Sequence, residues 1–398
     1  MAFSNTILGG GTFTGRAVYD QGGTVGTIGT STDTIAEDVS SIVSMISPYE
    51  TPLLTLLGDS DFPAQSVLHE WLEDGLTVNS VTVNGAIAAN VVTLVLDGNA
   101  NELMIGTILE VPSTGEYIQV NSHTSTLEST SIGINRGLTT TTAATIPDNE
   151  VLTVIGESTV EGSDVLDDVS KTRLRKTNTC QIFKKDVIVS GTMRSVRNLG
   201  GIVDELDYQV QMRTREALRD LEKMIIRGIG PSTANNAGTG TQSRLLKGLR
   251  QFITTNNTTG TAINIGTDSS VLNNQIKGAW DTGGTDLDVI VCGAAVKEKI
   301  DLMNSTRVRV VNEESAFRDV VSTYESTYGS LRVVLSRWMP EKEGLILASN
   351  RVKVVPLTGR SFQFQPVAKT GDSSKGMVLG EYTLEVRNEE GMARFIIA

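Results

Sequence analysis

The chain is poor in the residues on which most catalytic chemistry depends. Its 398 residues include two histidines and two cysteines, and aromatic side chains make up 5%. With His69 and His123 as the whole imidazole supply, a histidine-based zinc site or a Ser-His-Asp triad has almost no material. Cys180 and Cys292 match no metal or redox spacing and are expected to be free thiols, as in a reducing cytoplasm. No GxSxG marks a nucleophile elbow, and no apolar run approaches the ~18 residues of a membrane span. The opening "MAFSNTILGGGTFTG" has neither a basic stretch nor a continuous apolar core, so no secretory signal is read and a soluble protein is expected. Positive charge is also short: 34 Lys and Arg face 46 Asp and Glu, a formal net charge of −12. That balance argues against a protein whose task is to neutralise phosphates.

What is present suits a soluble chain of two or three domains, with 39% hydrophobic and 20% charged residues. Scarce aromatics place stability on Val, Ile and Leu contacts spread over many small interfaces, as in an extended or multi-lobed shape. Residues 1–34 hold eight Gly and eight Thr and read as an arm ordered only by a partner. From Thr34, Ile35, Val39, Ile42 and Ile46 fall at helical spacing, then Pro48 and Pro52 interrupt, and Leu53 to Leu57 form a short apolar turn closed by Gly58.

Residues 76–160 change in kind. Short runs such as "NVVTLVLDG", "TILEV" and "EVLTVIG" are divided by Gly, Asn, Pro and Ser, which predicts a small all-β sandwich or barrel. Arg136 is the one basic residue there against eight acids. The charge then inverts: Lys171, Arg173, Arg175, Lys176, Lys184, Lys185, Arg194 and Arg197 face only Asp186. Within this block "TCQIFKKDVIVSG" alternates as a strand, and "SVLHEWLEDG" at 66–75 is its expected antiparallel mate, making 62–190 a long hairpin with a β-domain near its tip. A nucleic-acid surface is one reading of the block, but Phe183 is its only aromatic and offers no stacking platform. An acidic surface on another copy of the chain is the favoured partner.

A long helix follows. Val203, Leu206, Val210, Ala217, Leu221 and Met224 make one narrow seam, with Asp204, Glu205 and Asp207 in front and Lys223 and Arg227 behind, matching the helix dipole. After a polar loop, "LDVIVCG" reads as a buried strand and "AAVKEKIDLM" as a helix. "RVRVV", "LRVVLSRW", "GLILAS" and "RVKVVPL" are further strands, and two more surround Asn388 to Gly391 at the end.

Several motifs invite chemistry and have plainer readings. "HEWLE" at His69 has Glu73 where a zinc protease needs its second histidine. Gly293 in "VIVCGAAVKEKI" stands alone, without GxGxxG or GK[ST], so α/β packing is favoured over phosphate binding. Asp164, Asp167 and Asp168 could form a metal or acid-base cluster; capping a turn beside the basic block is the simpler role.

Five stretches in this order carry a resemblance: "SPYETPLLTLLG", "HEWLEDGL", "EGSDVLDDVSKTRLRKTNTCQIFKKDVIVSGT", "DELDYQVQMRTREALRDLEKMIIRG" and "GEYTLEVRNEEGMARFIIA". Together they resemble the major capsid protein of tailed bacteriophages with the Hong Kong 97-type fold, in a branch with a β-rich insertion in its extended loop. The resemblance implies an α+β capsid fold with an arm (1–61), an extended-loop hairpin (62–190) containing an inserted all-β domain (76–160) displayed at the capsid surface, and a spine helix with its following loop (191–242). An axial domain (243–370) and the terminal strands of the peripheral domain (371–398) complete it.

It further implies hexamers and pentamers in an icosahedral shell around double-stranded DNA, held without sequence-specific contacts, in a virion assembled in the host bacterial cytoplasm. Scaffold, portal and decoration proteins are implied partners, with no membrane, cofactor, metal or catalytic residue. Expected subunit contacts are Pro48 and Pro52 in the arm, Arg173, Arg175, Lys176, Lys184, Lys185, Arg194 and Arg197 in the basic block, and Glu205, Arg213 and Arg215 on the helix. One family member joins a Lys in this loop to an Asn; no recognisable carboxylate catalyst accompanies Lys184 and Lys185, so non-covalent assembly is expected. The alternatives are a surface or tail-associated β-protein binding a receptor through the insert, and an enzyme using Asp164, Asp167 or Asp168.

Overall fold

The computed structural model describes residues 48–123, 131–164, 171–196, 202, 204–230, 238, 242–258, 263, 269–305 and 323–398. The expected arm up to residue 47 and the "RVRVV" strand at 307–311 lie outside the described residues.

The described chain begins with α1 (Pro52–Leu57), which has proline at its first position, where a missing N–H costs nothing, and ends at Gly58 with φ +64°. Next come β1 (Leu68–Glu73) and then β2 (Ser80–Thr82), β3 (Thr93–Val95), β4 (Thr107–Val111), β5 (Glu116–His123), β6 (Ser131–Asn135) and β7 (Val151–Glu157). β8 (Leu174–Thr179), β9 (Gln181–Ser190), α2 (Gly191–Ser195) and the long α3 (Glu205–Arg227) follow. The rest is α4 (Leu249–Phe252), β10 (Asn256–Asn257), α5 (Ser269–Asp281), β11 (Val289–Cys292), α6 (Ala294–Ser305), β12 (Thr323–Ser326), β13 (Gly329–Leu335), β14 (Glu343–Leu347), β15 (Val352–Pro356), β16 (Gln363–Val367), β17 (Ser373–Val386) and β18 (Ala393–Ile396).

The strands from β2 to β7 form one antiparallel sheet in the order β2-β7-β4-β5-β6-β3. Its two ends meet: Val83 bridges Leu96, Asn84 N–H donates to Val95 O at 2.9 Å, and Asp97 N–H donates to Thr82 O at 3.0 Å. The sheet is thereby a closed barrel, which leaves no unpaired edge to recruit other strands. Leu94, Leu109, Ile118, Ile134, Ile146 and Leu152 fill it. Its one arginine is spent inside the barrel. Arg136 grips Glu116 through Nε and Nη2, both at 2.7 Å, and the same carboxylate accepts N–H from Gly137 and Ala144. Those donors outweigh burial and hold the Glu116 carboxyl below its ordinary range.

The mate of β1 is β8, from Leu68 opposite Thr179 to Glu73 opposite Leu174, rather than the QIFKKDVIVS strand. That strand, β9, instead pairs antiparallel with β17 over ten residues. The physical reason is its burial pattern: Phe183, Val187 and Val189 are buried on one face and need a helix to cover them, which α3 provides. The polar β8 has no comparable face.

Two further sheets form the body. The four-stranded sheet joins β9, β17, β15 and β16, while the six-stranded sheet runs β10-β18-β14-β11-β13-β12. The boundary expected at residues 370/371 is therefore crossed in both directions. β15 and β16 belong with β17, and β18 enters the other sheet beside β14, so the last two strands do not form a hairpin. Each of these runs is apolar enough to serve in either sheet, and the packing partner decides.

Asp204 caps α3, accepting the Leu206 amide at 2.8 Å, and Glu205 and Asp207 occupy its first turn. At 23 residues it is roughly 34 Å long. The buried seam is confined to its second half, through Ala217, Leu221, Ile225 and Ile226; Leu206, Val210 and Met224 are half-buried, and Val203 lies outside the described residues.

Replacing Arg136 with Ala would leave the Glu116 carboxylate buried without its cation. We expect loss of about 3 kcal/mol or more of barrel stability, read as an early-melting transition in calorimetry. A melting profile unchanged from wild type would disprove the assignment.

Candidate assembly surface

α1 is clasped against α3 and the two sheets of the body. Leu53, fully buried, enters a core that also contains Leu221 and Ile225 of α3, Val289 and Leu345 of the six-stranded sheet, and Leu384 and Val386 of β17. Glu222 of α3 is buried in this core and accepts N–H from Leu53 at 3.4 Å and Leu54 at 3.3 Å, two of the amides that α1 leaves unpaired. Ser336 Oγ donates to it at 3.3 Å. Burial outweighs these three donors and pushes the Glu222 carboxyl up to about 7. Around it, Trp338 Nε1 donates to Glu50 O at 2.8 Å, Arg337 pairs with Glu50, and Lys223 Nζ lies 4.5 Å from the Trp338 ring centroid. Between α1 and β13 a groove of about 520 Å³ opens, lined by Glu50, Pro52, Thr55, Leu56, Arg332 and Val334.

The expected contact residues are distributed along this frame. Pro48 is exposed at the arm root, Pro52 begins α1, and Arg215 stacks its guanidinium 5.2 Å from the Tyr49 ring centroid. Arg213 is engaged by Glu216, and Glu205 by Gln209, both along α3. The basic block differs from expectation, because its charge is answered largely within the chain. Lys171 pairs with Glu102 at 2.7 Å, Arg173 with Asp74 at 3.3 Å, and Arg175 with Glu70. Lys184 pairs with Asp186, Lys185 with Asp220 of α3 at 2.6 Å, and Arg194 with Asp204 at 3.1 Å. Two of those carboxylates, Asp74 and Glu70, lie 99 and 105 residues away in sequence, and the third, Glu102, belongs to the barrel, which is why the block looked unanswered. Lys176 makes no ion pair among the described residues, and Arg197 lies outside them.

Sequence reasoning missed Glu222, although its position next to Leu221 and one turn before Ile226 placed it on the buried arc. It also missed the outer face of the four-stranded sheet. Ile188, Lys375 and Val367 form one cross-strand row on the side away from α3, where Ile188 is 66% and Val367 47% exposed.

The remaining motifs are structural. His69 Nε2 lies 2.8 Å from Glu385 Oε2. A side chain at Gly293 would meet the Pro340 carbonyl oxygen at 2.1 Å, so close backbone approach explains that glycine. Burial raises Cys180 to about 11 and Cys292 to about 12, leaving both as thiols. Asp164 is exposed, and Asp167 and Asp168 lie outside the described residues. Among the described residues no three His, Cys, Asp or Glu side chains converge on a metal-sized site, and no helix is long and apolar enough to cross a membrane.

A long helix laid across one sheet, a second mixed sheet and the β1–β8 ribbon packed against the body make up a fold of the class found in phage capsids. The chain in the capsid asymmetric unit of cyanophage A-1(L) is 11% identical over 92% of this chain and 98% of its own, with a TM-score of 0.52. A capsid chain of an empty GTA particle is 8% identical over 92% and 95%, with a TM-score of 0.51. At these identities the likeness is one of fold, and it is the Hong Kong 97-type fold that the resemblance implied. Among curated proteins none matches the chain. The family itself is given by sequence: residues 21–397 match the SU10 major capsid protein, and the chain belongs to that family. It is a shell-forming capsid protein of the virion, built up from many copies of itself.

Glu222 has an ordinary value of 4.5 and titrates at about 7 in the fold, so between these values the folded chain holds a proton that the unfolded chain has lost. Its contribution is therefore complete below pH 4.5 and is lost as pH rises through about 7. Melting temperature across that window should fall with rising pH in the wild type and much less in Glu222→Gln. An equal fall in both would show that another group is responsible.

Proposed function

We propose that this chain forms the wall of an icosahedral shell as hexamers and pentamers enclosing double-stranded DNA, assembled in the bacterial cytoplasm with scaffold and portal proteins. In this reading α3 with β9, β15, β16 and β17 is the peripheral domain. The six-stranded sheet with α5 and α6 is the axial domain, and the β1–β8 ribbon is the root of the extended loop. The arm (1–61), whose first 47 residues lie outside the described residues, threads between subunits in this reading, and its α1 segment is held by the Glu222 clasp. The role is structural, without catalysis.

The observation that carries the reading is the exposed Ile188-Lys375-Val367 row. A sheet with a helix on one face and apolar side chains open on the other is a wall element awaiting neighbours. The net charge of −12 supports a container that does not grip its contents, since few phosphates could be neutralised. With Arg136 turned inward and Glu102 paired to Lys171, the remaining described charges of the barrel are acidic, which favours its display on the outer surface, away from DNA.

Full-length chain purified with its cognate scaffold should give closed shells in negative-stain images. A strictly monomeric product at high concentration would sink the proposal. Asn79 O accepts Val154 N–H at 2.8 Å, so the barrel's entry and exit lie side by side. Excising 80–153 should therefore preserve shells and remove outer density, whereas a folded excision variant that forms none would make the barrel an assembly element.

A further inference from the structure

Lys176 is the described member of the basic block without a carboxylate of its own. It stands opposite Trp71 in the β1–β8 ribbon, on the face turned toward the body, where Trp71 is buried. Two residues along the same face, Asn178 holds the main chain of Lys247 from both sides: its Nδ2 donates to Lys247 O at 3.1 Å and its Oδ1 accepts Lys247 N–H at 3.0 Å. The second lysine is thereby fixed beside the first. Its Nζ lies 4.2 Å from the Phe252 ring centroid, and Phe252 in turn packs on Trp71 at 5.9 Å.

Neither ammonium has an acid at ion-pair distance among the described residues, although both are half-buried. Burial first, and then the charge of Lys176, lower the pKa of Lys247, with Glu389 opposing. The surrounding carboxylates are already engaged. Glu389 accepts N–H and hydroxyl donors from both Thr254 and Thr255, and Glu73 Oε1 accepts Trp71 Nε1 and Asn388 N–H. Two like charges held together without an anion oppose folding of the isolated subunit, beside a basic block whose other described cations are paired within the chain.

We propose that Lys176 and Lys247 form the seat for a carboxylate from a second copy of this chain, completed only in the shell. The charge complementarity is plain: a chain of net charge −12 offers acids at its surface, and the shell brings copies together. The proposal rests on the shell reading.

The test compares wild type, Lys176→Gln, Lys247→Gln, the double variant and Lys176→Arg, all full-length. Two quantities are read: the fraction of subunits in shells by sedimentation, and the melting temperature of unassembled subunit. The double variant should place about tenfold fewer subunits in shells while melting at or above the wild-type temperature, because a repulsion has been removed. Lys176→Arg should keep assembly. Unchanged assembly, or a melting temperature that falls in step with it, overturns the seat. If inorganic phosphate raises the melting temperature of wild type but not of the double variant, and assembly is unaffected, the site holds a free anion and the second-copy occupant is wrong. Wild type that never forms shells would instead sink the shell reading, and the seat with it.

Discussion

The structure depends on one shared apolar seam, the second half of α3. Ala217, Leu221, Ile225 and Ile226 are the buried apolar residues of that helix, and the core that the last three enter also receives Leu53 from α1 and Trp71 from the ribbon. The same core takes Leu384 and Val386 from one sheet and Val289, Val291 and Leu345 from the other. One helix thus serves as the packing surface for four separate pieces of chain. The cost is a carboxylate, Glu222, inside that seam with hydrogen-bond donors but no cation. Its placement ties α1 to the helix through the Leu53 and Leu54 amides.

Element identity was legible in the sequence wherever a period or a cap spoke locally. The first turn of α3, the Val289–Cys292 strand, the Pro52–Leu57 turn and the β-rich stretch all lie where apolar spacing and turn residues placed them. Partnership was not legible. Alternation in β9 announces a strand with one buried face but does not say whether Leu68–Glu73 or Ser373–Val386 lies beside it. β18, four residues in a chain of apolar strands, carries no mark of the sheet it joins. The basic block misled for the same reason: its counter-charges at Glu70, Asp74, Glu102 and Asp220 are distant in sequence and adjacent only after folding.

Charge in this protein is divided between what folding consumes and what it leaves. Arg136 and Glu116 are enclosed in the barrel, and Arg250 and Arg394 converge on Glu343 at the end of β14. Such buried pairs fix geometry more than they add stability, because desolvation cancels much of their attraction. The surface that remains is acidic overall, with a few exposed cations already matched to neighbours.

The barrel's first and last strands touch, with β2 and β7 paired over Ser80–Thr82 opposite Val151–Thr153. A load on the barrel reaches the wall through that short pair and opens it like a zip, one hydrogen bond at a time. The ten-residue pairing of β9 with β17 lies off that line of force. Force applied to the barrel would open its root before it strained that longer pairing, which makes the root a mechanical fuse.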